Sequence, residues 1–144
     1  MAYCTKQDLW DRYGEAEITQ ASDSHDNDGV ENTEAITAAI NDATDLINQF
    51  LRLRFVLPLV CVPSSIKLIC CEIARYLLHD NLPTEEITIR YQDAVKRLQM
   101  LRDRDMMLYD ETCGDVFTEL TSNQVVVKSR SQIYTPTIMG KIFP

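Results

Sequence analysis

The side chains best suited to chemistry in this 144-residue sequence are five cysteines and two histidines. The cysteines are Cys4, Cys61, Cys70, Cys71 and Cys113. They form no C-x-x-C pair, and two histidines add few ligands, so we do not expect a zinc site. His25 and His79 lie far apart, and no serine, cysteine or carboxylate is spaced with either to suggest a catalytic triad. We therefore expect neither an enzyme nor a bound metal or cofactor.

The cysteine count is odd, and the first ten residues contain no apolar segment that would indicate a secretory signal. Both observations favour reduced thiols in a cytoplasmic setting. Cys70 and Cys71 are adjacent, which is a poor geometry for pairing with each other, and we expect them to fill the core of a buried helix. A thiol-dependent or metal-dependent enzyme remains an alternative, and it would lose activity if either cysteine were replaced.

A polar loop over residues 21–32 contains three aspartates with calcium-like spacing. They are Asp23, Asp26 and Asp28. With Gly29 at position six of an EF-hand loop, Ser24 would take position one and Ala35 would take position twelve. Position twelve needs a bidentate glutamate, so the calcium motif fails and a solvated loop is expected.

The composition is that of an ordinary soluble globular protein, with 45% apolar and 25% charged residues. The longest apolar run is too short to span a membrane. The net charge of −8 is unevenly distributed, since residues 1–45 hold eleven acids against Lys6 and Arg12. An acidic chain repels nucleic acid over most of its surface. The uneven charge fits a protein that meets complementary surfaces, although such blocks are also common on solvated faces.

Apolar residues at three- and four-residue steps predict an all-α core over residues 1–104. Predicted helices cover residues 6–13, 33 to 52 or 54, 64–79 and 85–103, with one further turn over 15–20. The expected caps are Thr5, Asn32 or Thr33, and Thr84, and Pro63 suits the first position of its helix. The helix over 64–79 is apolar over most of its circumference, so we expect it at the centre of a small bundle.

The helical period disappears after residue 104, and residues 105–144 are predicted to form an extended C-terminal arm. Val125, Val126 and Val127 are β-branched and favour a short strand. Residues 121–144 contain no aspartate or glutamate. Their apolar side chains predict that the arm either folds back on the core or binds a neighbouring molecule.

Several groups of residues occur in an order that is more specific than any one of them. Tyr3 and the cap Thr5 come first. The end of the second long pattern supplies Ile47, Phe50, Leu51, Arg54, Phe55, Pro58 and Leu59. After Val62 and Pro63, the next helix supplies Ile73, Ala74, Arg75, Tyr76 and Leu78. The last helix supplies Arg90, Tyr91, Asp93, Ala94, Val95 and Leu98. In this order they resemble the head–tail connector, or neck, proteins of Mu-like tailed phages and prophages.

The resemblance covers residues 29–108 and departs from the family at residues 102–107, where a basic, glycine-containing segment is usual. It implies a small helical adaptor without catalytic activity, located in the neck of the virion and made in the cytoplasm of the bacterial host. Such subunits usually form a twelve-membered ring beneath the portal protein. The ring extends the DNA channel, lets DNA pass without specific binding, and offers a platform to a downstream neck, stopper or tail-terminator protein.

Under this interpretation two sets of residues are candidates for function. The subunit or portal interface would comprise Arg54, Phe55, Pro58, Leu59, Lys128, Arg130, Ile133, Tyr134, Ile142 and Phe143. The acidic loop, with Asp23, Asp26 and Asp28, would line the channel. The alternative for residues 54–59 is a helix end followed by a tight loop that caps the core. The alternative for the whole chain is a cytoplasmic helical module, or small regulator, that binds a partner protein.

Overall fold

The computed structural model describes residues 2–23, 28–57, 59, 61–79, 83–109, 113 and 119. Within these ranges the chain forms five helices. They are α1 (Lys6–Tyr13), α2 (Glu15–Ser22), α3 (Thr33–Leu51), α4 (Ser64–Leu78) and α5 (Glu85–Arg102). The prediction of an all-α fold is confirmed for the described part of the chain.

Helix starts follow the capping residues that the sequence predicts. The Thr5 side chain accepts a hydrogen bond from the Asp8 amide, and the Asp8 carboxylate accepts one from the Thr5 amide, which completes a capping box. Asn32, rather than Thr33, caps α3, and Thr84 caps α5. Gly14 separates α1 from α2 with φ of +94°, a conformation that favours glycine.

Helices α3, α4 and α5 pack against one another as the main bundle, with α4 between the N-terminal helices and α5. The predicted central position of α4 is confirmed, because its inward residues are fully buried. Those with no exposed area are Ile66, Ile69, Cys70, Cys71, Ile73 and Ala74. The side chain of Arg54, just after α3, bonds to the carbonyl of Leu101 near the end of α5. Helices α3 and α5 therefore end at the same end of the bundle.

The N-terminal segment is anchored to α3 and α4 by buried and charged contacts. Tyr3 and Cys4 are buried, and the Tyr3 amide donates to Oγ1 of Thr44 at 3.3 Å. Arg75 on α4 forms two hydrogen bonds with Glu17 on α2, at 2.8 and 3.0 Å. These contacts attach α1 and α2 to the bundle as a packed layer.

The chain beyond α5 continues to contact the core. Leu108 is buried within the core cluster, and Cys113 and Glu119 contact the connection between α3 and α4. Packing therefore extends past the boundary predicted at residue 104. The predicted arm over 121–144, including the strand at residues 125–127, lies outside the described residues.

Membrane-spanning helices and metal-binding clusters are both absent from the part of the chain that the structure describes. No helix among the described residues is both long and apolar enough to span a membrane. No three or more histidine, cysteine, aspartate or glutamate side chains within the same part of the chain converge to hold a metal ion.

Candidate interaction surface

Arg54 joins the ends of two helices through its buried guanidinium group. The chain turns after α3 because the amides of Arg54 and Phe55 both bond to the Leu51 carbonyl, at 2.9 and 2.8 Å. The turn directs Arg54 toward the end of α5, where its Nη1 donates to the carbonyl oxygens of Leu101 at 2.9 Å and Met106 at 2.7 Å. The last carbonyls of a helix lack partners within it, so Arg54 acts as a cap for α5 from outside the helix.

Glu119 completes the coordination of Arg54. The Nε and Nη2 atoms of Arg54 donate to Oε1 of Glu119 at 3.1 and 2.8 Å, and Arg104 donates to Oε2. Burial opposes the charged form of Glu119, but the hydrogen bonds from Arg54 and Arg104 outweigh it and lower the pKa of this carboxyl group. Backbone pairing between Phe55 and Glu119 holds the same two segments together.

A disulfide bond between Cys61 and Cys113 fastens these segments a second time. The Cα atoms are 5.9 Å apart, within the usual range, and the two residues are 52 positions apart in the sequence. The expectation that all five thiols are reduced is therefore wrong for this pair. Their long separation gives no local spacing from which the pairing could be predicted.

We call the group formed by Arg54, Cys61, Cys113 and Glu119 the clasp. Four exposed apolar side chains lie in the turn after α3 and in the segment after α5, the two stretches next to these residues in the chain, and we call them the apolar rim. They are Leu53 (58% exposed), Val56 (47%), Met107 (74%) and Tyr109 (59%). Leu53 and Val56 flank the turn of Arg54, and Sδ of Met107 lies 3.6 Å from Nη2 of Arg54. The clasp thus holds an apolar surface at one end of the bundle, where it is available for contact.

Three of the predicted interface residues are buried within the chain. Arg54, Phe55 and Leu59 are only 2%, 3% and 4% exposed, so their side chains make contacts within the chain. This burial agrees with the alternative of a helix end whose loop caps the core, and their assignment to an interface stays a prediction. Pro58 lies outside the described residues, as do the predicted arm residues. The latter are Lys128, Arg130, Ile133, Tyr134, Ile142 and Phe143.

Sequence reasoning missed the apolar rim itself. Leu53 and Val56 lie beside the motif residues Arg54 and Phe55, but they fall off the buried stripe of α3. An apolar residue that lies outside the buried stripe and next to a charged turn can indicate an exposed binding surface. Here that interpretation also requires the buried partner of Arg54, which the sequence does not reveal.

The acidic loop is closed by one of its own aspartates. Asp23 is buried, and its carboxylate accepts hydrogen bonds from the amides of Asp28 at 3.1 Å and Gly29 at 2.7 Å. Asp28 is exposed and accepts a bond from the Val30 amide. Asp26 lies outside the described residues. Asp23 therefore shapes the loop, and its burial does not favour a direct role in lining a channel.

The remaining cysteines form a buried cluster between the N-terminal segment and α4. Sγ of Cys4 lies 3.0 Å from Sγ of Cys70, and Cys71 is adjacent. Hydrogen bonds to Cys70 and Cys71, together with burial, raise the pKa of the Cys4 thiol. The hydrogen bond from Cys4 lowers the pKa of the Cys71 thiol. All three sulfurs are nevertheless buried, so this cluster is better suited to filling the core than to attacking a substrate.

Fold and surface together define a class: a small all-α protein that presents an apolar rim on a covalently fastened clasp. The sequence matches the model of the family described as Bacteriophage Mu, Gp36, over residues 3–127, and the chain belongs to that family. The matched range includes all four clasp residues. The resemblance to proteins of Mu-like phages is thereby confirmed at the level of the family.

Two relatives support this membership. The chain is 38% identical over 103 residues to Gene product J of Escherichia phage Mu, covering 72% of this chain and 73% of the relative. It is also 38% identical over 64 residues to the Mu-like prophage FluMu protein gp36 of Haemophilus influenzae, covering 44% of this chain and 45% of that protein.

Proposed function

We propose that this protein is a structural virion protein, a head–tail connector subunit that forms a ring beneath the portal of a Mu-like phage. The ring extends the DNA channel and joins the head to the tail. The observation that carries the proposal is the exposed apolar rim, which is fixed by the clasp at one end of the bundle. Family membership supports a phage role for that surface.

The rim suits a protein that acts by binding other proteins. Removing apolar surface from water contributes roughly 25 cal/mol for each Å² before the costs of association. A rim held by the hydrogen bonds of the buried Arg54 to the end of α5 and to Glu119 loses little conformational freedom when a partner binds. The portal, or the next protein of the neck, is the partner that we propose for it.

The sides of the bundle carry charges that suit contact between copies. Helix α3 contains no lysine or arginine, and its exposed face includes Glu34, Asp42 and Asp45. The exposed face of α5 includes Lys96 and Arg97. A ring requires two different, complementary faces on each subunit. We propose the acidic face of α3 and the second half of α5 for these roles, since the acids Glu85 and Glu86 of α5 lie in its first turn. We propose twelve copies, to match the portal.

Net charge supports the proposed passage of DNA. With a formal charge of −8, the protein offers few sites that would neutralise phosphates. A channel built from such subunits would repel the duplex and let it slide without specific binding. The exposed Asp28 is the described loop residue that remains a candidate for the channel surface.

Native mass spectrometry with negative-stain imaging tests the proposal, on the full-length protein alone and mixed with its cognate portal. We expect a ring of defined copy number in at least one of the two samples. A monomer or dimer that ignores the portal would contradict the connector role. That outcome would favour the alternative of a cytoplasmic helical module, or small regulator, that docks a partner on the same rim.

A further inference from the structure

The segment after α5 is attached to the α3–α4 connection by two kinds of chemistry. Glu119 is held by the guanidinium of Arg54, 65 residues away in the sequence. Cys113 is held by the covalent bond to Cys61. The first attachment is independent of redox conditions, whereas the second exists only when both thiols are oxidised.

We propose that Cys61 and Cys113 form a redox-controlled cross-link that is open in a reducing cytoplasm and closes in an oxidising medium, where it locks the apolar rim. The change from a reducing to an oxidising medium rests on the proposed function, in which the protein is made in a bacterial cytoplasm and leaves it in a virion. Thiols stay reduced in the first compartment, and disulfides persist outside it.

The cross-link acts on the chain segment that carries part of the apolar rim. Met107 and Tyr109 lie between the end of α5 and Cys113, so the cross-link anchors the far end of a segment that carries half of the rim. With the bond open, this segment is held by the side chain of Glu119 and by the packing of Leu108. Closing the bond ties this segment to the α3–α4 connection and so restricts the conformations open to Met107 and Tyr109.

Exposure separates Cys61 from the other four cysteines. Cys61 is partly exposed and can meet a soluble oxidant, whereas Cys113 is only 9% exposed and Cys4, Cys70 and Cys71 are buried. Reaction with a soluble thiol reagent requires access to the sulfur. A soluble oxidant therefore reacts first at Cys61, and Cys113 then reacts with the Cys61 sulfur beside it. The three internal thiols serve as controls.

A low-molecular-weight disulfide such as glutathione disulfide balances the reaction. The thiolate of Cys61 attacks one sulfur of that disulfide, forming a mixed disulfide and releasing one thiolate. The thiolate of Cys113 then attacks the Cys61 sulfur and releases the second. The two protons of the protein thiols pass to the two released thiolates. The protein loses two electrons, and glutathione disulfide is reduced to two molecules of glutathione.

The test equilibrates the full-length protein in glutathione buffers of cytosolic and of oxidising ratio, followed by differential alkylation and mass spectrometry. We expect Cys61 and Cys113 to be alkylated together in the reducing buffer and protected together in the oxidising one. Cys4, Cys70 and Cys71 should stay unlabelled in both until urea is added. A pair that stays oxidised in the reducing buffer, or never oxidises, would overturn the proposal.

Limited chymotrypsin digestion tests whether the cross-link locks the rim. Cleavage after Met107 and Tyr109 should be faster in the reduced protein by about tenfold, because proteolysis follows the population of the open segment. Equal rates would overturn the locking role. The double variant Cys61→Ser with Cys113→Ser should match the reduced wild type in both buffers, with far-ultraviolet circular dichroism as the check on folding.

Glu119→Gln tests whether the ion pair positions Cys113 for closure. Loss of the charge-assisted bonds should slow disulfide formation by about tenfold while leaving the final oxidised fraction high in the oxidising buffer. An unchanged rate would remove the positioning role of Glu119. Ring formation is measured separately from alkylation. The absence of a ring in both redox states would refute the connector function, whereas the alkylation pattern alone tests whether the cross-link is redox-controlled.

Discussion

Arg54 concentrates more interactions than any other described residue at its end of the bundle. Its guanidinium bonds to two backbone carbonyls and to Glu119, and it also lies 4.9 Å above the Phe55 ring. A guanidinium suits this position because its planar fork of donors serves several acceptors at once, which an ammonium group cannot reproduce.

Replacing Arg54 with methionine should lower the free energy of unfolding by about 3 kcal/mol, because it leaves two carbonyls and a partly buried carboxylate without their donor. Urea denaturation followed by circular dichroism measures the change. The control is Arg52→Met at the exposed neighbouring position, for which we expect a change within about 0.5 kcal/mol. Equal effects at the two positions would contradict the role assigned to Arg54.

Glu119 should make stability depend on pH in the acidic range. Its pKa is lowered in the folded state, so its contribution is fully present above the unfolded value of about 4.3 and is lost as the pH falls through the folded value. The free energy of unfolding of the wild type should therefore exceed that of Glu119→Gln at pH 6. The difference should shrink as the pH approaches about 3. A difference that does not change with pH would refute the charged contact.

The motif singled out Arg54 in the sequence, but its partner could not be found there. Glu119 lies 65 residues away, in a segment without helical period, and many other carboxylates were equally available. The Cys61–Cys113 pairing failed to emerge for a similar reason. Contacts between residues distant in the sequence depend on how the helices pack. The spacing of side chains along the chain carries little information about that packing.

At the scale of elements, helix caps and apolar periodicity are sufficient to predict where the helices lie. The capping box at Thr5 and the caps Asn32 and Thr84 begin α1, α3 and α5, and the predicted ends differ from those observed by at most a few residues. Caps and apolar periodicity act over three or four residues, and such short-range terms are directly readable from the sequence. The weaker pattern of α2 was predicted two residues too short.

Thr84→Ala should destabilise the protein by about 1 kcal/mol, since the Ile87 amide loses its side-chain acceptor at the start of α5. Thr84→Asp should retain most of the stability, because aspartate is also a good N-cap. Thermal denaturation of both variants provides the measurement. Thr37→Ala, at an exposed interior position of α3, is the matched control and should change stability little.

At the scale of the whole molecule, the apolar rim should govern assembly without governing folding. The double variant Leu53→Ser with Met107→Ser removes two highly exposed apolar side chains. We expect the melting temperature to stay within a few degrees of the wild type while binding to the portal weakens by about 100-fold, a loss of roughly 3 kcal/mol.

Ile89→Ser supplies the matched control, because Ile89 is 49% exposed and lies in the first half of α5, away from the rim. Portal binding by this variant should equal that of the wild type in a native mass spectrometry titration. If both variants bind normally, a different surface must make the contact.

The burial of Tyr3 and Cys4 against α3 and α4 has a consequence for biosynthesis. Cys4 meets Cys70 across 66 positions, so the site of the N-terminal layer is incomplete until α4 has been translated. At about 5–20 residues per second, that interval lasts roughly 3 to 13 s. Helices α1 and α2 leave the ribosome before α4 and yet complete their packing only after α4 exists. A chaperone that shields nascent chains would therefore meet these two helices for longer than it meets α4.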